Sequence, residues 1–473
     1  MDVTRLSAVE LATAIRERRV SSVEVVEGVL ARIDDMDGDL RAFVTVDRDG
    51  VRAAARAADQ QLVDDREVGV LHGVPFSVKD LLDTAGVRTT YGSRALADHV
   101  PTADVEAVAR LRSAGAILVG KTATPEFAAS LCTRSALNGI TRNPWDPDRS
   151  PGGSSGGAGV AVATGMGPIA VSTDGGGSAR IPASACGVLG LKATLGRIPH
   201  ESWPFHFDNN SSVSINARCV PDLAAMLDIM SGPHPLDPWS RRPPRELDGD
   251  GSDPRVGRVL FMPHPAGLTA DAEVLDKVET VLASLEGTGV VIDRMDDDPT
   301  GHDPSMVTNI LFANLVARAR EFTPDQQRLL EEPFRTAVTG DRVGQDAVAL
   351  QQCSLERSRI YNRVEDLFTR YDLIVSPTVM AEPPLADRDD VVVVDGREVP
   401  LMRWWSHLSL ANMTGHPAIS VPAGFTAGGL PVGIHAVGPW DGEPALLGFA
   451  EVIARLHPWG HLWPPGVGAP PVE

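Results

Sequence analysis

The sequence predicts an α/β fold in which a single large mixed β-sheet is covered on both faces by α-helices. Three observations carry that expectation. Apolar residues recur at helical spacing in several stretches, short apolar runs of strand length follow or separate them, and no fixed-period repeat is present. At 473 residues, with 43% hydrophobic and 22% charged residues, the chain can bury a core large enough for such a sheet.

Taken in order, residues 7 to 60 read as N-terminal helices. Ser7 and Ser21 or Ser22 stand as N-caps before acidic first turns in "SAVELATAIRERRVSSVEVVEGVLARI". Residues 68 to 235 form the predicted core. Within it, "DVEAVARLRSAGAILVGKT" reads as an amphipathic helix, a stop at Gly115 and a buried strand over Ala116 to Val119, and helix-like "GGAGVAVATGMG" feeds the strand-like "PIAVSTD". The stretch 240 to 255 ("SRRPPRELDGDGSDPR") is rich in Pro, Gly and charge and is expected to be an exposed connection. "VGRVLFM" reads as a strand, residues 264 to 370 as a mainly helical variable region, and residues 371 to 460 as a return to the sheet through "YDLIVSPTV", "AISVPAG" and "PVGIHAVGP". One domain over residues 1 to 473 is the preferred organisation, and a split near 240 to 255 is the alternative.

The formal net charge of −20 disfavours nucleic acid and anionic membrane as partners. The N-terminal stretch lacks the basic-then-apolar pattern of a secretion signal, and no run of about eighteen apolar residues occurs, so a cytoplasmic location is expected. Cys132, Cys186, Cys219 and Cys353 lie far apart with no CxxC pair, which reads as reduced, mostly buried thiols. The histidines show no HExxH or other tight ligand spacing. Neither a metal nor a cofactor is expected.

The chemistry concentrates in glycine and serine. "SPGGSSGG" (150 to 157) places Ser154 and Ser155 among four glycines, and as an isolated string it would be a flexible loop about half the time. It is not a phosphate-binding loop, because Ala158 and Gly159 follow where Lys-Ser would be required. It satisfies GxSxG, but a nucleophile elbow must leave a strand, and Pro147 and Pro151 exclude a central strand there. A second cluster follows in "STDGGGSARIPASACG", with Ser178 directly behind Gly175, Gly176 and Gly177. Successive glycines can turn backbone N–H groups toward one point, where the oxyanion of an attacked carbonyl would sit. A serine nucleophile needs a base, and the candidate is Lys79, set among apolar residues in "GVPFSVKDLLDTAG", where burial would favour the uncharged amine. Taken alone, Lys79 reads as an exposed or snorkelling side chain.

Together, "GVPFSVKDLLDTAGVRTTYGS", "SPGGSSGGAGVAVATG", "STDGGGSARIPASACGVLGLKAT" and "LANMTGHPAISVPAGF" resemble, in this order, the amidase signature family of serine hydrolases, from about Leu6 to about Arg455. The resemblance implies the fold of that family and a Ser, cis-Ser, Lys triad: Ser178 as nucleophile, Ser154 as bridging serine behind a cis peptide bond, Lys79 as proton acceptor. It implies oxyanion donors at the backbone N–H groups of Gly175, Gly176, Gly177 and Ser178. Ser155 and Asp80 are then expected to support the triad, and Asp174 with Arg180 to form a structural pair fixing the loop. The implied reaction is hydrolysis of amide bonds in small substrates, with anilides, esters or carbamates as further candidates.

Three departures bear on the substrate. Gly175 stands where many relatives carry a larger residue, Ala179 where Ile is common, and Ala123-Thr124 where Asn-Met is usual. Ile181 replaces the Gln typical of relatives that transamidate tRNA, so an amidotransferase-type subunit, or a non-catalytic member of a larger complex, is the alternative reading. Trp203, Phe205, Phe207, Trp404 and Trp405 fall in segments that line the substrate site in relatives and suggest an apolar, aryl substrate, with core packing as the competing explanation. A homodimer is left open.

Overall fold

The computed structural model describes residues 2–201, 205–241, 256–332, 334–339 and 347–467. The first helices form where the caps predict them. Ser7 and Ser21 each accept a hydrogen bond from the backbone N–H three residues on, and Glu10 and Glu24 return the bond, which closes a capping box at the head of the helices Ala8–Arg16 and Ser22–Leu40. A third helix, Arg48–Val63, completes this N-terminal layer.

The strands, in chain order, are β1 Phe43–Val46, β2 Pro75–Lys79, β3 Ile117–Thr122, β4 Arg134–Ser135, β5 Gly139–Ile140, β6 Ile169–Asp174, β7 Leu189–Lys192, β8 Ser212–Ala217, β9 Arg258–Phe261, β10 Val291–Arg294, β11 Leu373–Pro377, β12 Val391–Val394, β13 Arg397–Pro400, β14 Ala418–Phe425 and β15 Pro431–Val437. Eleven of them make one mixed sheet in the order β1-β3-β2-β6-β8-β7-β14-β15-β11-β9-β10. The strands β3, β2 and β6 run parallel, as do β11, β9 and β10; antiparallel pairs join the centre. The pairs β4–β5 and β12–β13 stand apart as short hairpins.

Helices cover both faces, as expected for this class. Phe76, Val78, Ile169 and Val171 pack on one side with Leu11, Leu111, Leu227, Val278 and Phe449 from five helices. On the other side Ile117, Val119 and Ala170 meet Val29, Ala55 and Ala161, while Ile374, Ala418 and Val437 meet Ile360 and Val364. Alternation of side chains along each strand makes this two-sided burial possible.

The region 264 to 370 is mainly helical, with one difference from expectation. It contributes β10 at the sheet edge, and because this strand is edge-on and partly exposed its residues carry charge at Asp293 and Arg294 instead of forming an apolar run. Most of the predicted connection, from residue 242 to 255, lies outside the described residues. All four cysteines are free thiols, Cys132 and Cys186 buried and the other two half-buried. Among the described residues no helix is long and apolar enough to cross a membrane.

Candidate active site

The parallel register of β2 beside β6 brings two chain segments to one sheet end. Val78 pairs with Val171, so Lys79 at the end of β2 emerges beside the segment Ser172-Thr173-Asp174 that ends β6. Carboxyl ends of adjacent parallel strands are where open α/β sheets place their ligands.

Lys79 has no solvent exposure. Its Nζ lies 2.8 Å from Ser154 Oγ, 2.8 Å from Ser155 Oγ and 3.0 Å from Thr173 Oγ1. Burial pushes the amine down to about 7, with the negative charge of Asp174 pulling weakly the other way. Ser155 Oγ also donates to the Thr173 carbonyl at 3.2 Å, so its proton is committed and it can only accept from Lys79.

Ser154 and Ser155 open the helix Gly156–Thr164, which is buried along its whole length. The Gly153–Ser154 peptide bond is cis. A Cβ on Gly153 would sit 2.7 Å from the backbone of Leu131, so the close passage of two backbones requires glycine at that position.

Ser178 and Ser154 open onto the same cavity. Their loops are joined by the Ser155 N–H donating to the Ser178 carbonyl at 3.1 Å. Among the described residues no hydrogen bond joins Ser178 Oγ to another group. Among the same residues His200 is the one histidine at the cavity wall; its Nε2 faces Ser211 Oγ at 3.2 Å, and burial pushes its imidazole down to about 4.

The glycine loop differs from expectation at one position. Gly175, Gly176 and Ser178 face the cavity, and their N–H groups have no partner among the described residues. The Gly177 N–H instead donates to Asp174 Oδ1 at 2.7 Å. Gly177 sits at φ +117 and its N–H is taken up by Asp174, so three of the four expected N–H groups are without a partner among the described residues.

Asp174 and Arg180 are the expected pair. Both are fully buried, and Arg180 Nη2 and Nε donate to the two carboxylate oxygens at 2.9 and 3.0 Å. The guanidinium also reaches the Leu408 carbonyl, His435 Nε2 and Asn412 Oδ1. Burial alone would raise the Asp174 carboxyl, but Arg180, Asn412 and the Gly177 N–H hold it far below the ordinary carboxylate range. Neither residue lines the cavity.

Asp80 does not touch the Lys79 amine. Its carboxylate takes the Thr90 hydroxyl and the Thr90 N–H at 2.9 Å, and burial raises its pKa against the opposing pull of Lys121. It therefore anchors the turn after Lys79.

The cavity holds about 590 Å³ above Ser154, Thr173 and Ser178. Tyr91, Phe127, Phe334, Phe205 and Trp405 supply its aromatic wall. Trp404 is a correction: it has no exposure, packs in the core with Ile181 and Leu408, and donates its indole N–H to the Ala381 carbonyl at 2.8 Å. Neighbours on a helical turn face directions about 100° apart, so only Trp405 reaches the cavity. Phe207 is a second correction, being 79% exposed and outside the lining. Trp203 lies outside the described residues.

Sequence reasoning missed Thr173, although it directly precedes Asp174 in the quoted motif, and missed the wall residues Tyr91, Phe127 and Phe334. It also missed Asn210 and Asn412, whose amides bind the glycine loop. Asn412 lies inside the quoted "LANMTGHP"; nothing local marks Asn210.

Comparison with known proteins adds three findings. The Amidase family model matches residues 24–447. An acylamidase of Rhodococcus erythropolis is 33% identical over 97% of this chain and 97% of its own length, and a glutamyl-tRNA(Gln) amidotransferase subunit of Roseiflexus sp. (strain RS-1) is 32% identical over 96% and 97%. The crystal structure of a bacterial aryl acylamidase of the amidase signature enzymes superimposes with a TM-score of 0.86 at 27% identity, covering 96% of each chain. Fold and sequence thus define a hydrolase of carbon–nitrogen bonds, an amidase. The chain belongs to the amidase signature family.

Proposed function

We propose that this amidase hydrolyses small amides bearing an apolar or aryl group through an acyl-enzyme on Ser178, with Lys79 as base and Ser154 as proton bridge. One observation carries the reading: a lysine amine with no solvent exposure, depressed to about 7, lies 2.8 Å from a serine hydroxyl at the floor of the cavity that holds Ser178.

The hydrogen bonds around Lys79 support one direction of proton flow. Ser155 can only accept from Lys79, and Thr173 Oγ1 is placed to accept a second amine proton. The remaining direction on an uncharged amine is its lone pair, toward the Ser154 hydroxyl. Ser178 Oγ rotates toward Ser154, passes its proton through Ser154 to Lys79 and attacks the amide carbon. The oxyanion falls among the N–H groups of Gly175, Gly176 and Ser178. The proton returns through Ser154 to the leaving nitrogen, the amine departs, and water repeats the sequence on the ester to release the carboxylic acid.

The aromatic wall and the similarity to acylamidases support apolar or aryl amides. Similarity to the amidotransferase protein supports a second reading, in which the chain works inside a larger assembly. Turnover of simple amides by the purified chain decides between them. A fluorophosphonate should label Ser178 and Ser178→Ala should lose both labelling and turnover; label on another residue, or turnover by Ser178→Ala, overturns the mechanism.

A further inference from the structure

Peptide planes in the glycine loop show how its N–H groups are aimed. In a trans peptide the C=O and the following N–H point in opposite directions, so a donor that holds one fixes the other. The Asp174 carbonyl accepts from Asn412 Nδ2 at 2.9 Å, which turns the Gly175 N–H the opposite way. The Gly175 carbonyl accepts from Asn210 Nδ2 at 2.9 Å, which does the same for Gly176. The Gly177 carbonyl accepts from the Ile181 N–H at 2.8 Å, fixing the Ser178 N–H. These are the three residues of the loop that line the cavity.

The two asparagines are also tied together. Asn412 Nδ2 reaches Asp174 Oδ1 at 3.0 Å and the Asn210 carbonyl at 3.2 Å, and its Oδ1 takes Arg180 Nη2 at 2.8 Å. Asn210 is 2% exposed, and its Oδ1 is buried without a hydrogen-bond partner. A buried unpaired oxygen is costly, so a side chain serving only to fill space would be better replaced by an apolar one. The geometry points to Asn210 and Asn412 as positioning residues: we infer that their amides clamp the Asp174 and Gly175 carbonyls outward and so hold the Gly175 and Gly176 N–H groups on the developing oxyanion. This inference rests on the proposed attack by Ser178.

Asn210→Asp keeps the side-chain shape but removes the donor and sets an oxygen against the Gly175 carbonyl. Asn210→Ala removes the donor alone. The measurements are kcat and KM on one amide substrate, the inhibition constant of a trifluoromethyl ketone, which forms an oxyanion on the nucleophile, and that of the carboxylic acid product, which forms none. Thermal melting reports folding. Loss of one oxyanion donor costs about 10²- to 10³-fold in kcat. We expect Asn210→Asp to lower kcat by about 10²-fold and weaken the ketone in parallel, with KM and product binding within about threefold of wild type. Asn210→Ala should show the same pattern at about tenfold, and carries the test if the aspartate variant does not fold. Folded variants that keep wild-type kcat and ketone affinity overturn the inference, as does equal weakening of ketone and product. Ser178→Ala, run alongside, tests the attack itself, so the clamp can fail while the mechanism stands.

Discussion

At the scale of single residues, the proposed mechanism makes the proton on Lys79 the controlling variable. Its pKa is depressed to about 7 by burial, and the uncharged amine is the form that accepts a proton. If Lys79 is the base, activity should be lost well below the folded pKa and rise with pH through it: kcat/KM should climb about tenfold per unit below pH 7 and level off above. Thr173→Val removes an acceptor that favours the ammonium form, so its acid limb should move to lower pH while kcat falls by roughly tenfold or more. A pH–rate profile that keeps the wild-type midpoint in that variant would remove Thr173 from the site. Lys79 itself was legible only in company: a lysine among apolar residues reads by itself as a snorkelling side chain, and the two glycine-serine clusters supplied the need for a base. Its partners were less so. Thr173 and Asn210 are ordinary hydroxyl and amide side chains, and only the strand register and loop path show that they meet the amine and the glycine loop.

At the scale of elements, glycine positions decide whether the loops can lie where they do. Gly177 holds φ +117, and a Cβ there would lie 2.9 Å from Leu408 Cδ1. Gly177→Ala should lower stability by about 1 to 3 kcal/mol and disturb the neighbouring donors; a melting curve and kcat for the same preparation check both effects. The elements most visible in the sequence were those with local signals, namely capped helices and apolar strands such as β11 and β14. Strand β8 was hidden. Its sequence "SVSINA" is fully buried yet half polar, because Asn216 Nδ2 reaches the Ala179 and Leu189 carbonyls and Ser212 Oγ the Asp174 carbonyl. Charged β10 was hidden for a different reason, lying at a sheet edge where no apolar run is demanded, and apolar β1 was hidden by its length of four residues between two helices. The aromatic segment 401 to 408 suggested a wall, with core packing as the competing explanation, and which of two adjacent tryptophans faced the cavity depended on helix rotation.

At the scale of the molecule, the buried amines make stability depend on pH. Burial lowers Lys79 and Lys192 to about 7 and Lys121 to about 8, all below the ordinary lysine value of 10.5. Between the folded and unfolded values the unfolded chain binds more protons, so these groups make the fold more stable as pH rises from about 7 toward 10.5. Replacing Lys79 by Met removes one such contribution. Denaturant titrations from pH 7 to 9 should show wild type gaining stability relative to Lys79→Met as pH rises; a constant difference would mean that the amine is not perturbed in the native state. The sheet has a further consequence, in the time order of synthesis. The hydrogen bond from Asn412 to Asp174 joins residues 238 positions apart. A ribosome releases Ser178 and Asn210 long before it makes Asn412, so a growing chain carries the proposed nucleophile without the amide that holds the Asp174 carbonyl. Under the proposed mechanism, arrested nascent chains ending before residue 412 should ignore the phosphonate probe, and reactivity should begin only near completion of the polypeptide.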